Sequence, residues 1–205
     1  MLEYEKIYKR LFMINIIDNF KISELKNTKY INPIKVTFSQ NGKEKTWEAV
    51  KSHDSVSILL YHKEKESFLL VKQFRAPVYL NDNSITFTYE LCAGLIDKEK
   101  SIEEIVIEEI DEECGYKVHI NDISKITSFH TNVGISGAKQ YLYFATIDES
   151  MKIHQGGGIN DEEIELFFLP LNECDDFIFD EKKAKTPGLM FSFYWFLKNK
   201  EKLGF

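Results

Sequence analysis

The sequence predicts an α/β fold, a mixed sheet with helices packed on both of its faces. Three observations carry that prediction. From Ser55 to Leu91, β-branched and aromatic residues gather into short runs of strand length. From Ser101 to Gly115 an amphipathic stretch opens with a cap and closes on glycine, the punctuation of a helix. After a second set of strand-like runs, Thr186-Pro187 reads as the N-cap and first residue of a final helix. Strands and helices in this arrangement pack as an α/β/α sandwich.

Taken in order, residues 1–30 mix charged and aliphatic side chains with no clean period, and the apolar stretch 12–17 is too short for the core of a signal peptide. Ile34-Lys-Val-Thr-Phe-Ser-Gln40 alternates by twos, Asn41-Gly42 supplies the two positive-φ residues of a tight turn, and 43–50 alternates back, which makes a β-hairpin. Strands are expected at 56–61, 68–74 and 85–91; the nearly unbroken apolar run 67–74 suits a strand covered on both faces. More strands fall at 125–129, 141–147 and 164–169, the last closed by Pro170. In the final helix Leu189, Phe193, Phe196 and Leu197 are placed to pack on the sheet. Residues 1–52 then form a small N-terminal β subdomain and 53–205 the main domain.

The helix between Ser101 and Gly115 is the most informative element. Ser101 with Glu104 is a capping box and Gly115 a left-handed stop, so the helix is about 14 residues long. On a helical wheel Ile102, Ile105, Val106 and Ile110 share one broad side, while Glu103, Glu104, Glu108 and Asp111 share the other. Glu109, Glu112 and Glu113, at i, i+3 and i+4, fall on the apolar side. Carboxylates crowded at the edge of a core repel one another and lose hydration unless a positive charge compensates them. A hard divalent cation does so: all-oxygen ligands suit magnesium or manganese, and magnesium commonly shares its shell with substrate phosphates. A merely solvated acidic helix is the alternative, and the separation of outward from inward acids speaks against it.

Gly94, the interval of 15 residues to Glu109, and Glu109-Ile110-Asp111-Glu112-Glu113-Cys114-Gly115-Tyr116 resemble the Nudix box, whose pattern is a glycine, then Glu, then Arg-Glu-aliphatic-x-Glu-Glu-x-Gly-aliphatic. Lys100 stands where the pattern has its first Glu, and Glu108 where it has Arg. In the family that Arg helps orient the metal-binding carboxylates, so an acid there is expected to add repulsion. The resemblance covers residues 34–196. Ser39-Gln-Asn-Gly-Lys43, Lys45-Thr-Trp-Glu48, His53-Asp-Ser-Val56, Val71-Lys-Gln-Phe-Arg-Ala-Pro-Val-Tyr79, Glu90-Leu-Cys-Ala-Gly-Leu-Ile-Asp97, Gly156-Gly-Gly158 and Trp195-Phe-Leu197 are similar to the UDP-sugar pyrophosphatase branch of that superfamily, itself related to the ADP-ribose pyrophosphatases. Thr131-Asn-Val-Gly-Ile135 lacks the proline that usually follows the box in the ADP-ribose branch, which tilts the reading toward UDP-sugars.

The resemblance implies a Nudix-type sandwich and a magnesium-dependent hydrolase that splits the pyrophosphate bond of a nucleotide sugar, such as UDP-glucose to UMP and glucose 1-phosphate, by metal-activated water. It implies that Glu109, Glu112 and Glu113 hold the metal with the backbone carbonyl of Ala93, Glu113 counting also among the catalytic groups. The base would come from the loop Gly156-Gly-Gly-Ile-Asn-Asp-Glu-Glu163, where Glu162 aligns best and Glu163 next. Arg75 is the candidate phosphate clamp, on a strand otherwise bound for the interior, with a salt bridge to Glu90 as its structural alternative. Trp47, Glu48 and Lys51 on the hairpin, with Glu90, are candidates for substrate contact; an ordinary hairpin aromatic is the alternative for Trp47. His130 falls on the loop after the box, within reach of a sugar. The hairpin subdomain implies a homodimer in which each subunit contributes to the other's pocket. Cleavage of ADP-ribose to AMP and ribose 5-phosphate is the second reading. A nucleotide-sugar-binding module that cleaves nothing is the third, supported only by Lys100 and Glu108.

Composition narrows the classes further. A chain of 205 residues, 43% of them hydrophobic, can bury a core without disulfides. A net charge of −7 and no Lys/Arg block disfavour nucleic acid as a partner. Cys92, Cys114 and Cys174 are odd in number and lack C-x-x-C spacing, so they read as small core residues rather than zinc ligands. Ser136 lies in no nucleophile elbow. No stretch approaches the length of a membrane span, and a cytoplasmic location is expected.

Overall fold

A computed structural model describes residues 17–23, 26–28 and 31–205, so most of the segment expected to precede the hairpin lies outside the described residues. Strands β1 (Asn32–Gln40) and β2 (Lys43–Lys51) form a two-stranded antiparallel sheet. They turn at Asn41 and Gly42, with φ of 56° and 75°, the positive values that an Asn-Gly turn supplies. Directly opposed residues share a face, so Ile34 with Ala49, Val36 with Trp47, and Phe38 beyond them make an apolar strip along the hairpin. Ile34, Val36, Phe38 and Trp47 are all exposed.

The second sheet is mixed and comprises β3 (Ser55–His62), β4 (Ser67–Gln73), β5 (Thr88–Glu90), β6 (Cys92–Leu95), β7 (Ile123–His130), β8 (Lys139–Ile147), β9 (Glu165–Pro170) and β10 (Ala184–Lys185). Strand β3 runs parallel to β8 and antiparallel to β4 and β6; β4 also pairs with β5 and β9. The central strands are apolar without a break because both faces are covered. Val56, Ile58, Leu60, Leu69 and Val71 face one core layer, and Leu59, Tyr61, Phe68 and Leu70 the other.

The helices among the described residues are α1 (Ala76–Asn81), α2 (Ile102–Glu109), α3 (Cys174–Phe179) and α4 (Pro187–Asn199). Ile105, Val106 and Ile110 at α2 close the first layer. Phe177 and Ile178 of α3, with Leu189, Phe193 and Phe196 of α4, close the second, where Phe68 stacks on Phe193 at 4.6 Å. Helix α4 begins as expected: Thr186 accepts from the N–H of Leu189 at 3.3 Å and Pro187 follows. The sandwich is therefore α/β/α, with the hairpin as a small separate sheet.

Two expectations need correction. Of the strand expected at 85–91 only Thr88–Glu90 forms, as β5, and a further short strand, β6, follows it after Leu91. Strand β4 stops at Gln73 because Pro77 favours the first turn of a helix, so Arg75 is the N-cap of α1, not a member of an interior strand. Its side chain is 47% exposed, which removes the burial cost a strand position would have imposed.

Candidate active site

Helix α2 starts on a closed capping box: Ser101 Oγ accepts from Glu104 N at 3.2 Å, and Glu104 Oε2 accepts from Ser101 N at 2.8 Å. After Glu109 the helix widens into a π turn, Ile110–Cys114, which ends at Gly115 with φ of 76°. Such turns recur at functional sites. Here the π turn carries Glu112 and Glu113: Glu113 is buried and Glu109 half-buried against β6, while Glu112 is half-buried like the outward Glu103, Glu108 and Asp111.

Strand β6 supplies the wall against which these acids sit. Ala93 N donates to Glu113 Oε2 at 2.9 Å. A Cβ on Gly94 would overlap the carboxylate of Glu109, so glycine is what lets that side chain lie where it does against the strand. Burial, followed by the charge of Glu112, pushes the Glu109 carboxyl up to about 7. Burial likewise raises Glu113 to about 8, against the downward pull of the bonds from Ala93 and Cys92. Glu112 is raised as well, first by burial. Oxygen donors whose charge is disfavoured until something positive arrives fit a hard divalent cation.

The other half of the site is the loop 156–163. His154 Nδ1 accepts from Gly156 N at 3.0 Å, so Nε2 carries the proton and donates to Asp111 Oδ1 at 2.7 Å. Gly157 N and Gly158 N donate to the carbonyls of Glu113 and Glu112 at 2.8 and 3.1 Å, using acceptors that a helix end leaves open. Glu162 folds back over this loop, its Oε2 accepting from Ile159 N at 3.0 Å, and its charge bears on Glu109, Glu112, Glu113 and Arg75. Glu163 is exposed.

Arg75 donates through Nε and Nη2 to the two carboxylate oxygens of Glu90, both at 2.8 Å. Both the salt bridge and free guanidinium N–H groups are thus present, because two of the five donors are used. Trp47 Nε1 donates to the carbonyl of Gly134 at 2.9 Å, and Val50 N to that of Ile135 at 2.9 Å, which docks the hairpin on the loop after β7. Glu48 and Lys51 are exposed on β2, and among the described residues no bond ties them to the acids within one chain.

Glu108 does add repulsion, as its sequence position suggests: its charge raises Glu109 and Glu112. It is itself ion-paired, Lys98 and Lys100 donating to its two oxygens at 2.8 Å each and lowering its pKa. Lys100 and Glu108, opposite in sign to the pattern's Glu and Arg, are ion-paired at 2.8 Å. Lys98 also opposes the rise in pKa of Glu109 and Glu112. The other outward acids are partnered too: Glu103 accepts from Tyr143 Oη at 2.7 Å, and Asp111 holds His154. These partners escape a helical wheel because they lie in the turn after β6, on β8, and 43 residues beyond Asp111.

A further acidic group, His62, Glu64 and Glu149, sits at the opposite end of β3. Glu149 is ion-paired with Lys65, and Lys65 N lies 3.4 Å from His62 Nδ1, which leaves the ring proton on Nε2 and the imidazole unprepared to ligate. No helix among the described residues is long and apolar enough to cross a membrane.

The NUDIX domain model matches residues 51–188. The chain is 33% identical to a uridine diphosphate glucose pyrophosphatase of Bos taurus, with 88% of this chain and 94% of that one covered. It is 28% identical to the Mus musculus protein of the same name over the same shares. It is 38% identical to a GDP-mannose pyrophosphatase of Pectobacterium atrosepticum over 59% of this chain and 61% of that one.

Two outcomes follow from the geometry. Because Glu109 and Glu113 have raised pKa values, the folded chain holds protons that the unfolded chain releases, so their contribution to metal-free stability falls as pH rises from about 4.5 to about 8. Denaturant unfolding across that range should show the wild type losing stability relative to Glu113→Gln. Separately, Lys100→Glu and Glu108→Arg should each destabilise, while the double reversal recovers most of the loss with a coupling of about 0.5–1 kcal/mol in a double-mutant cycle.

Proposed function

The chain belongs to the NUDIX family, and on that premise we propose that it hydrolyses the pyrophosphate bond of a nucleotide sugar, splitting UDP-glucose into UMP and glucose 1-phosphate. The observation that carries this reading is the crowding of Glu113 and Glu109 against Ala93 and Gly94, with Glu112 beside them and the Glu162 loop bonded over the same helix end. The names of the relatives, UDP-glucose pyrophosphatase over most of the length and GDP-mannose pyrophosphatase over a shorter stretch, support a nucleotide sugar as substrate.

In this reading Glu109, Glu112 and Glu113, with the carbonyl of Ala93, would hold magnesium or manganese. Such an ion, when bound, draws charge from phosphoryl oxygens and makes water more acidic. The protein's own groups do the rest. Glu90 fixes the plane of Arg75, whose remaining N–H groups bind a phosphate oxygen in a fork that lysine cannot reproduce. Glu162, held near the acids, takes the proton of the attacking water; Glu163 is the second candidate. Trp47 offers an exposed ring to the base.

Glu48 and Lys51 act across a homodimer, in which each hairpin reaches the other subunit's pocket. The exposed strip Ile34, Val36 and Phe38 supports that assembly. The division at residues 1–52 and 53–205 goes with it, supported by the separation of the hairpin sheet from the main one. Free Cys92, Cys114 and Cys174 are compatible with the reducing cytoplasm that the reading assumes.

Purified protein with magnesium should release UMP and glucose 1-phosphate from UDP-glucose, and turn over ADP-ribose more slowly. Glu113→Gln should cut kcat by about 10²–10⁴-fold, whereas a module that only binds would keep its function. No product from any nucleotide sugar would sink the reading.

A further inference from the structure

We propose that the cavity under the loop after β7 is the seat of the hexose, a subsite that rests on the nucleotide-sugar reading and extends it. Ala93 joins this cavity to the acids: its N–H holds Glu113, and the same residue lines a space of about 310 Å³ reaching to the start of α4. That volume lies at the low end of the range for small-ligand sites, which suits a single pyranose ring.

The walls are apolar over most of their area and carry a few groups that can bond hydroxyls. Ser57 lines the cavity, and its Oγ is buried with no hydrogen-bond partner, a state native proteins rarely leave uncompleted. His130 Nδ1 lies 2.8 Å from the carbonyl oxygen of Gly137; a carbonyl only accepts, so Nδ1 carries the proton and Nε2 is left as an acceptor. Gln140 donates through Nε2 to Ser55 Oγ at 3.2 Å, which commits its amide group and leaves Oε1 toward Gly188 at the cavity wall. Thr186 accepts from Leu189 N as the N-cap, so its hydroxyl proton is available to a ligand.

The charge pattern selects among ligands. Among the described residues that line the cavity there is no Lys or Arg, and Glu90 is the one acid; the cation paired with it, Arg75, does not line the cavity, so the phosphates have their counter-charge outside it. A base would want a flat aromatic slot, and Phe129 is the one aromatic ring in the wall. Trp47, exposed and bonded to the same loop at Gly134, gives the base its face elsewhere. A neutral polyol is what remains.

The test compares UDP-glucose with the methyl ester of UDP, which keeps the nucleoside and the diphosphate and lacks the sugar. The ratio of kcat/KM for the two substrates is expected to favour UDP-glucose in the wild type. It should fall about tenfold in Ser57→Ala and in His130→Ala, as loss of one hydrogen bond predicts. His130 is the exposed last residue of β7, so its variant keeps the test alive should Ser57→Ala fail to fold. An unchanged ratio in both variants, whether through equal losses or none, would assign the cavity to the uridine half or to structure and overturn the subsite. Equal turnover of the two substrates by the wild type would overturn it while leaving the hydrolase standing. Turnover of neither would remove the hydrolase reading, and the subsite with it.

Discussion

Crowding of half-dehydrated carboxylates against one β-strand is the constraint that the rest of the site accommodates. Glu109 and Glu113 face β6 with pKa values of about 7 and about 8, so the metal-free protein keeps them at a cost. Their surroundings make that position possible without relieving it. Gly94 leaves room for one carboxylate, the Ala93 N–H binds the other, and the charge of Lys98 opposes the rise of Glu109. The two-layered core behind β3 and β4 fixes the strand side, and the capping box fixes where α2 begins. A strained cluster on rigid supports is what preorganisation for a cation would look like.

The helix end does a second task. By opening into a π turn, it presents the carbonyls of Glu112 and Glu113 to the N–H groups of Gly158 and Gly157, and His154 ties the same loop to Asp111. Acids and loop are therefore set by one piece of backbone, so that Glu162 keeps its place relative to Glu109 and Glu113. The exchange of sign between Lys100 and Glu108 belongs to the same economy. Lys98 and Lys100, by bonding Glu108, hold the turn before α2 against the helix.

Much of this was legible in the residues. Asn41-Gly42 between alternating runs fixed the hairpin, Ser101 with Glu104 fixed the start of α2, and the i, i+3, i+4 acids stood out because they broke the apolar stripe. Thr186-Pro187 announced α4. Local chemistry of this kind is read from neighbours in sequence. What escaped depends on neighbours in space: Lys98 and Lys100 reaching Glu108 across a turn, His154 closing on Asp111, and the cavity to which Ser57, His130, Gln140 and Thr186 contribute from four separate places in the fold. Arg75 was misplaced for a different reason. Apolar patterning carried the strand through 74, while Pro77 had already set the next turn of chain.

The central claim is that Glu109 and Glu113 are turned inward to hold a hard cation. Calorimetric titration of magnesium into the metal-free protein at pH 8 tests it directly. Saturable binding in the wild type, weakened by about tenfold or more in Glu109→Gln and in Glu113→Gln, is the predicted result. No binding at millimolar magnesium, or binding that both variants leave unchanged, would contradict it.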